Sequence, residues 1–160
     1  MAGAPKPGAP AYLKTMEVKA LIKKWKGNQR YTLRFVEAVT NEQLSFKPTP
    51  GSKTYQSQLS HITTWLRSHS RFVTGITLEK PKTKTREDLL QYLGECFDVV
   101  IEFLENTDEH VLAETVDLWY GTVAKESVLL TMDNHLSHHR GQLVVYLRLM
   151  DIKAPSYIGW

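Results

Sequence analysis

Apolar residues recur at three- and four-residue intervals through four long stretches of this chain, and no other sequence feature constrains its fold as strongly. Between about Thr15 and Val39, the residues Val18, Leu21, Ile22, Trp25, Leu33, Val36 and Val39 line one helix face. Asn28 and Gln29 interrupt that stripe where a leucine is expected. Buried amides need hydrogen-bond partners, so they either line a polar cavity or mark a bend near Gly27. A second stripe, Leu59, Ile62, Leu66, His69 and Val73, belongs to a helix opening at Ser52 or Thr54, both capable caps. His61, Trp65 and Ser68 sit on an adjoining line of that helix. Thr85-Arg86-Glu87-Asp88 reads as a capping box, and Leu89, Leu93, Cys96, Phe97, Val100 and Leu104 carry a third helix to Asn106. The last helix is expected from about Val123 to Met150, capped by Thr122, with Pro155 ending any regular continuation.

The connections are less regular. Pro48, Pro50 and Gly51 break the chain after the first helix, and the polar stretch from Gly75 to Lys84, with Pro81, is a loop. Residues 107–121 hold an acidic patch, a short helix around Val111, and then Trp119, Tyr120 and Gly121. Strand-like alternation is weak throughout. Each amphipathic helix must bury its stripe against another, so the fold class expected is all-α, a four-helix bundle. Trp25, Trp65, Trp119 and Phe97 are assigned to plain core.

Composition narrows the function classes. A chain of 160 residues, 42% hydrophobic and 23% charged, is suited to one globular domain, here residues 11–160 after a flexible tail of residues 1–10. No apolar run approaches the ~18 residues of a membrane span. The tail has no apolar core of a secretory signal, so a cytoplasmic location is expected. The single cysteine, Cys96, excludes an internal disulfide and a Cys-rich zinc site. A net charge of +3, concentrated in Lys19, Lys23, Lys24 and Lys26 and in Lys80, Lys82, Lys84 and Arg86, reads as solvated lysines rather than a nucleic-acid surface.

The chemistry lies in Asp133-Asn134-His135-Leu136-Ser137-His138-His139-Arg140-Gly141-Gln142. His135 and His139 are four residues apart, about 400° of rotation and ~6 Å of rise, so both imidazoles stack on one helix face. That face also carries Met132, Leu143, Tyr146 and Met150, which turns the pair toward the bundle interior. An i, i+4 histidine pair is a common way for one helix to give a metal ion two nitrogens. A catalytic site ordinarily needs a third protein ligand, and His61 on another helix is the best candidate. A lone histidine on an apolar face is ordinarily a hydrogen-bonded core residue; it is the spaced pair that turns the balance toward metal. His69, His110 and His138 are assigned no role.

His135 to Gln142, HLSHHRGQ, resembles the HxxxHHRGQ signature of the DinB/YfiT-like superfamily, which is distinct from the DNA polymerase sharing the DinB name. Leu59-Ser60-His61-Ile62 falls where that family has its first histidine ligand, and Tyr146-Leu147-Arg148 with Pro155 is similar to its C-terminal run. The resemblance implies an up-down four-helix bundle with an inserted connection between the third and fourth helices. It implies one divalent ion, zinc or nickel, on His61, His135 and His139, and commonly a homodimer. It further implies chemistry on a small-molecule thiol and an electrophile, as in the family's thiol S-transferases. The alternatives are a metal-dependent hydrolase or a non-enzymatic metal-binding bundle.

One departure bears on mechanism. Family members often place an acidic residue directly after the first histidine of the pair; here that position is Leu136. A hydrolase must deprotonate water, whereas coordination alone can deprotonate a thiol, so no side-chain base is assigned. Gln142, one turn beyond His139, is expected to orient that ligand by hydrogen bonding. Arg140 is expected to tie its helix to a neighbour through a carboxylate.

Overall fold

The computed structural model describes residues 17–80 and 82–158; the tail of residues 1–10 and the expected helix start at Thr15 lie outside them. Four long helices form where the apolar periodicity places them: α1 (Val18–Glu37), α2 (Tyr55–Thr74), α3 (Arg86–Glu105) and α5 (Lys125–Leu149). Each boundary has a local cause. Thr54 caps α2 by accepting from the Ser57 amide, and Gly75 ends it in the left-handed region at φ 75°. The capping box at the start of α3 is complete, with Thr85 and Asp88 satisfying each other's backbone amides. No described helix is long and apolar enough to cross a membrane.

α1 packs on α3 and α5, and α2 packs on the same two, so α1 and α2 lie diagonally across the bundle. The ends of α1 and α5 meet the starts of α2 and α3 at one end of the molecule. There Asn41 accepts from the Arg86 amide, Tyr146 donates to the Lys53 carbonyl, and Gln56 donates to the carbonyls of Thr83 and Lys84. α2 and α3 therefore point the same way, and the strict alternation of up and down is broken once. The loop expected after Gly75 makes this possible by running back along α2, held by Arg67 Nε donating to the carbonyls of Leu78 and Glu79. The interior is leucine-rich, with Leu59, Leu66, Leu89, Leu93, Leu136, Leu143 and Leu147 fully buried.

The stretch between α3 and α5 differs from expectation. The short helix around Val111 is present as α4 (Glu109–Ala113), capped by Asp108. An antiparallel hairpin follows, β1 (Thr115–Leu118) and β2 (Gly121–Ala124), turning at Trp119-Tyr120 with Gly121 at φ 136°. Thr122 accordingly does not cap the last helix: it lies in β2 and donates to Asp117 Oδ1 at 2.6 Å. Trp119 is not core either. It is 85% exposed at the hairpin tip, because alternation in β1 turns Leu118 inward and the two-residue turn carries the indole outward.

α1 is one unbroken helix through Gly27. Asn28 is completely buried and bridges to α5, its Nδ2 donating to Asp133 Oδ1 at 2.8 Å and its Oδ1 accepting from Arg140 Nη1 at 2.8 Å. Lys24 pairs with the other oxygen of Asp133 at 2.8 Å, and Arg140 also reaches Ser137 and lies over the Tyr31 ring. Gln29 points elsewhere and donates to Asp98 on α3. Arg140 thus ties α5 to its neighbour as expected, but through the Asn28 amide. The nearby carboxylate, Asp133, lies on Arg140's own helix.

Candidate metal centre

α2 and α5 lie against each other and run in opposite directions, which brings the middle of one opposite the middle of the other. His61 from α2 meets His135 and His139 from α5 there. His135 Nε2 lies 3.2 Å from His61 Nε2 and 3.1 Å from His139 Nε2. All three ligand-capable atoms fall within 4.8 Å of one another. Nitrogens about 2.0–2.1 Å from a tetrahedral ion are about 3.3 Å apart, so this spacing suits a shared cation.

The proton arrangement supports the same fit. His139 Nδ1 faces two amide oxygens, Gln142 Oε1 at 2.8 Å and Gln58 Oε1 at 3.1 Å. Only an N–H satisfies both, which leaves the Nε2 lone pair directed at the other histidines. Gln142 is held in that sense because its Nε2 donates to His138 Nε2 at 3.1 Å. Burial lowers the pKa of all three rings. For His135 it is the largest cause, followed by the charges of His139 and His61, and the value falls to about 3. For His61 burial is followed by Lys53; for His139 it is opposed by the Gln142 hydrogen bond. The imidazoles are therefore neutral at neutral pH, the form in which they bind metal.

His135 is held differently. Its Nδ1 is buried without a hydrogen-bond partner among the described residues, and the ring lies flat on Trp65, centroids 4.2 Å apart and planes 13° apart. The opposite face of the indole carries His69 at 3.8 Å and 26°. His69, buried among polar partners, places Nδ1 by the Trp65 carbonyl and the Ser68 hydroxyl. Trp65 is thus more than plain core, whereas Trp25 and Phe97 pack together in the core as expected. His138 and His110 stay outside the cluster, both exposed. Gln58 and Trp65 are the contributors that sequence reasoning missed. The available signal was position: Gln58 lies three residues before His61 and Trp65 four after, on the same helical face.

The site is open on the α2 side, where a cleft is lined by Lys53, Gln56, Ser57, Ser60, His61 and Thr64. No carboxylate is among those residues, and none is among the charges that shift the three histidines. Leu136, standing where a base would follow His135, is fully buried.

The sequence model of the DinB family matches residues 14–157. The chain belongs to the DinB family. Solved DinB-like structures share its fold. A DinB-like protein from Bacillus cereus superposes with a TM-score of 0.77 at 21% identity, covering 89% of this chain and 98% of that one. A DinB-like protein from Bacillus subtilis gives 0.73 at 21% identity, covering 88% and 99%. YfiT from Bacillus subtilis, a probable metal-dependent hydrolase of unusual four-helix bundle topology, gives 0.67 at 19% identity, covering 94% and 96%. No curated protein matches in sequence. In this DinB protein the histidine cluster thus sits within the family's four-helix bundle, between α2 and α5.

Proposed function

We propose that this DinB-family protein is a metal-dependent thiol S-transferase, joining a low-molecular-weight thiol to a small electrophile. His61, His135 and His139 hold the divalent ion, zinc or nickel, through Nε2 in each case. The observation that carries the proposal is the donor set: three neutral imidazole nitrogens converge beside an open cleft that no carboxylate lines among the described residues. A bound divalent cation supplies Lewis acidity, which lowers the pKa of a thiol that reaches it.

The protein's own residues then have separable tasks. Gln58 and Gln142 fix the His139 tautomer, Trp65 fixes the plane of His135, and Leu136 keeps water from the buried side of the helix pair. In the reaction the thiol proton leaves to solvent, a sulfur–carbon bond forms, and the bond from that carbon to its leaving group breaks with its electron pair. None of these steps calls for a side-chain base. Water is a poorer acid than a thiol, and its activation is the step for which an acidic neighbour is usually present.

Metal-dependent hydrolysis is the second reading, favoured by the likeness to YfiT. The deciding experiment compares zinc- and nickel-loaded protein with His135→Ala. Loaded wild type is expected to hold near-stoichiometric metal and to conjugate thiols in a panel of electrophiles; the variant is expected to lose both. Metal-dependent ester hydrolysis without thiol conjugation across the panel overturns the proposal in favour of the hydrolase. Sedimentation velocity on the same samples reads the homodimer that belongs to this proposal.

A further inference from the structure

The cleft beside His61 has an electrostatic character that the proposed chemistry does not require. Its one fully ionic side chain is Lys53, exposed and paired with no carboxylate among the described residues. The Lys53 backbone is pinned, its carbonyl accepting from Tyr146 OH at 2.9 Å, so the ammonium is tethered at the cleft rather than carried on a loose loop. Its charge acts on two of the three histidines, His61 and His139. The rest of the lining comprises Gln56, whose amide donates to the Thr83 and Lys84 carbonyls, and three hydroxyls able to donate. Ser60 and Thr64 make no side-chain hydrogen bond within the described chain, and Ser57 accepts one from Thr54, which leaves its own proton free. Of these, Ser57 lies in the first turn of α2, where the helix dipole adds partial positive charge. A lining of one ammonium and several hydroxyls, without an acid, is suited to an anion.

We infer that the thiol used at this centre carries a carboxylate, and that Lys53 with the Ser57 and Ser60 hydroxyls receives it while the sulfur is directed to the histidine cluster. This rests on the thiol chemistry proposed above. Lys53 is a specificity residue here: it touches the substrate but not the reacting atoms.

The test uses full-length protein loaded with cobalt(II) and three thiols of similar reach: 3-mercaptopropionate, 2-mercaptoethanol and cysteamine. Sulfur-to-cobalt charge-transfer absorption reads binding directly, without turnover. The bound cation favours the acid in any variant, so the difference made by Lys53→Gln is decisive. Wild type is expected to prefer 3-mercaptopropionate over 2-mercaptoethanol by about 1.4- to fivefold more than Lys53→Gln does, the range of an exposed ion pair. Lys53→Arg is expected to keep most of the preference, and raising the salt to reduce it. If the variant shows the same preference ratio of 3-mercaptopropionate over 2-mercaptoethanol as wild type, the subsite is overturned and the thiol chemistry stands. If cobalt is bound but no thiol gives the band, the transferase proposal falls, and this inference with it. If no cobalt is bound, the metal centre itself is refuted.

Discussion

Replacing Asn28 by alanine tests whether the buried polar network between α1 and α5 holds the bundle together. The Asn28 amide makes two hydrogen bonds to ionised partners, to Asp133 and from Arg140, each 2.8 Å long. Asn28, Asp133 and Arg140 are all at least nine-tenths buried, so water cannot replace the lost partner. Hydrogen bonds to charged groups contribute about 1.5–3 kcal/mol each, which gives a loss of about 3–6 kcal/mol. Against a total stability of about 5–15 kcal/mol this is a large fraction. At about 2–4 °C per kcal/mol for a domain of this size, Tm should fall by about 6–24 °C. Urea unfolding followed by circular dichroism gives the free energy. A cycle with Arg140→Met should show coupling of at least about 1 kcal/mol, because both single variants break the same bond. Metal affinity should fall as well, since the Asn28–Arg140 contact sets the azimuth at which α5 presents His135 and His139. A loss below about 1 kcal/mol, or strict additivity in the cycle, refutes the view that this network bears the load.

Three further outcomes are expected. Trp65→Ala should weaken metal affinity by about 10–100-fold, the usual cost of losing a group that orients a ligand, while Trp65→Phe keeps most of it; equal affinity in all three proteins by chelator competition would show that stacking does not hold His135. Gln142→Leu should weaken metal binding within a similar range of about 10–100-fold by removing the shorter of the two acceptors on His139 Nδ1, and Gln58→Leu should add to the loss; isothermal titration reads both. Burial pushes the Cys96 thiol from its ordinary 9.0 up to about 12, so it should resist an aromatic disulfide reagent at pH 8 until denaturant is added. Because the folded value is the raised one, its contribution to stability is constant below pH 9 and declines as pH rises toward 12; increasing stability over that range would contradict the sign.

Much of this fold is written locally. The threonine cap of α2, the capping box of α3 and the apolar stripes operate within a few residues, so their sequence is enough to find them. The hairpin escaped because each strand is four residues long, too short for alternation to stand out, and because Thr122 is as plausible a cap as a strand residue. The shared direction of α2 and α3 escaped because it depends on contacts of the loop after Gly75, which no local pattern encodes. At the site, the three histidines were legible from helical spacing and family resemblance, and Gln142 from its place one turn beyond His139. Gln58 and Trp65 were not singled out, since an amide and an indole on a helix face have many ordinary uses. Asn28 was legible as an anomaly, but its resolution needed Asp133 and Arg140, more than a hundred residues away.

His139 and Arg140 are neighbours in the chain, about 100° apart around α5, and they face different helices. The guanidinium, locked onto α1, fixes the azimuth of α5 about its own axis, and that azimuth aims the imidazoles at α2. Grafting three histidines alone into another bundle would accordingly leave their bearing to chance; the graft needs its compass, the Asn28–Arg140 contact on the far side of the helix.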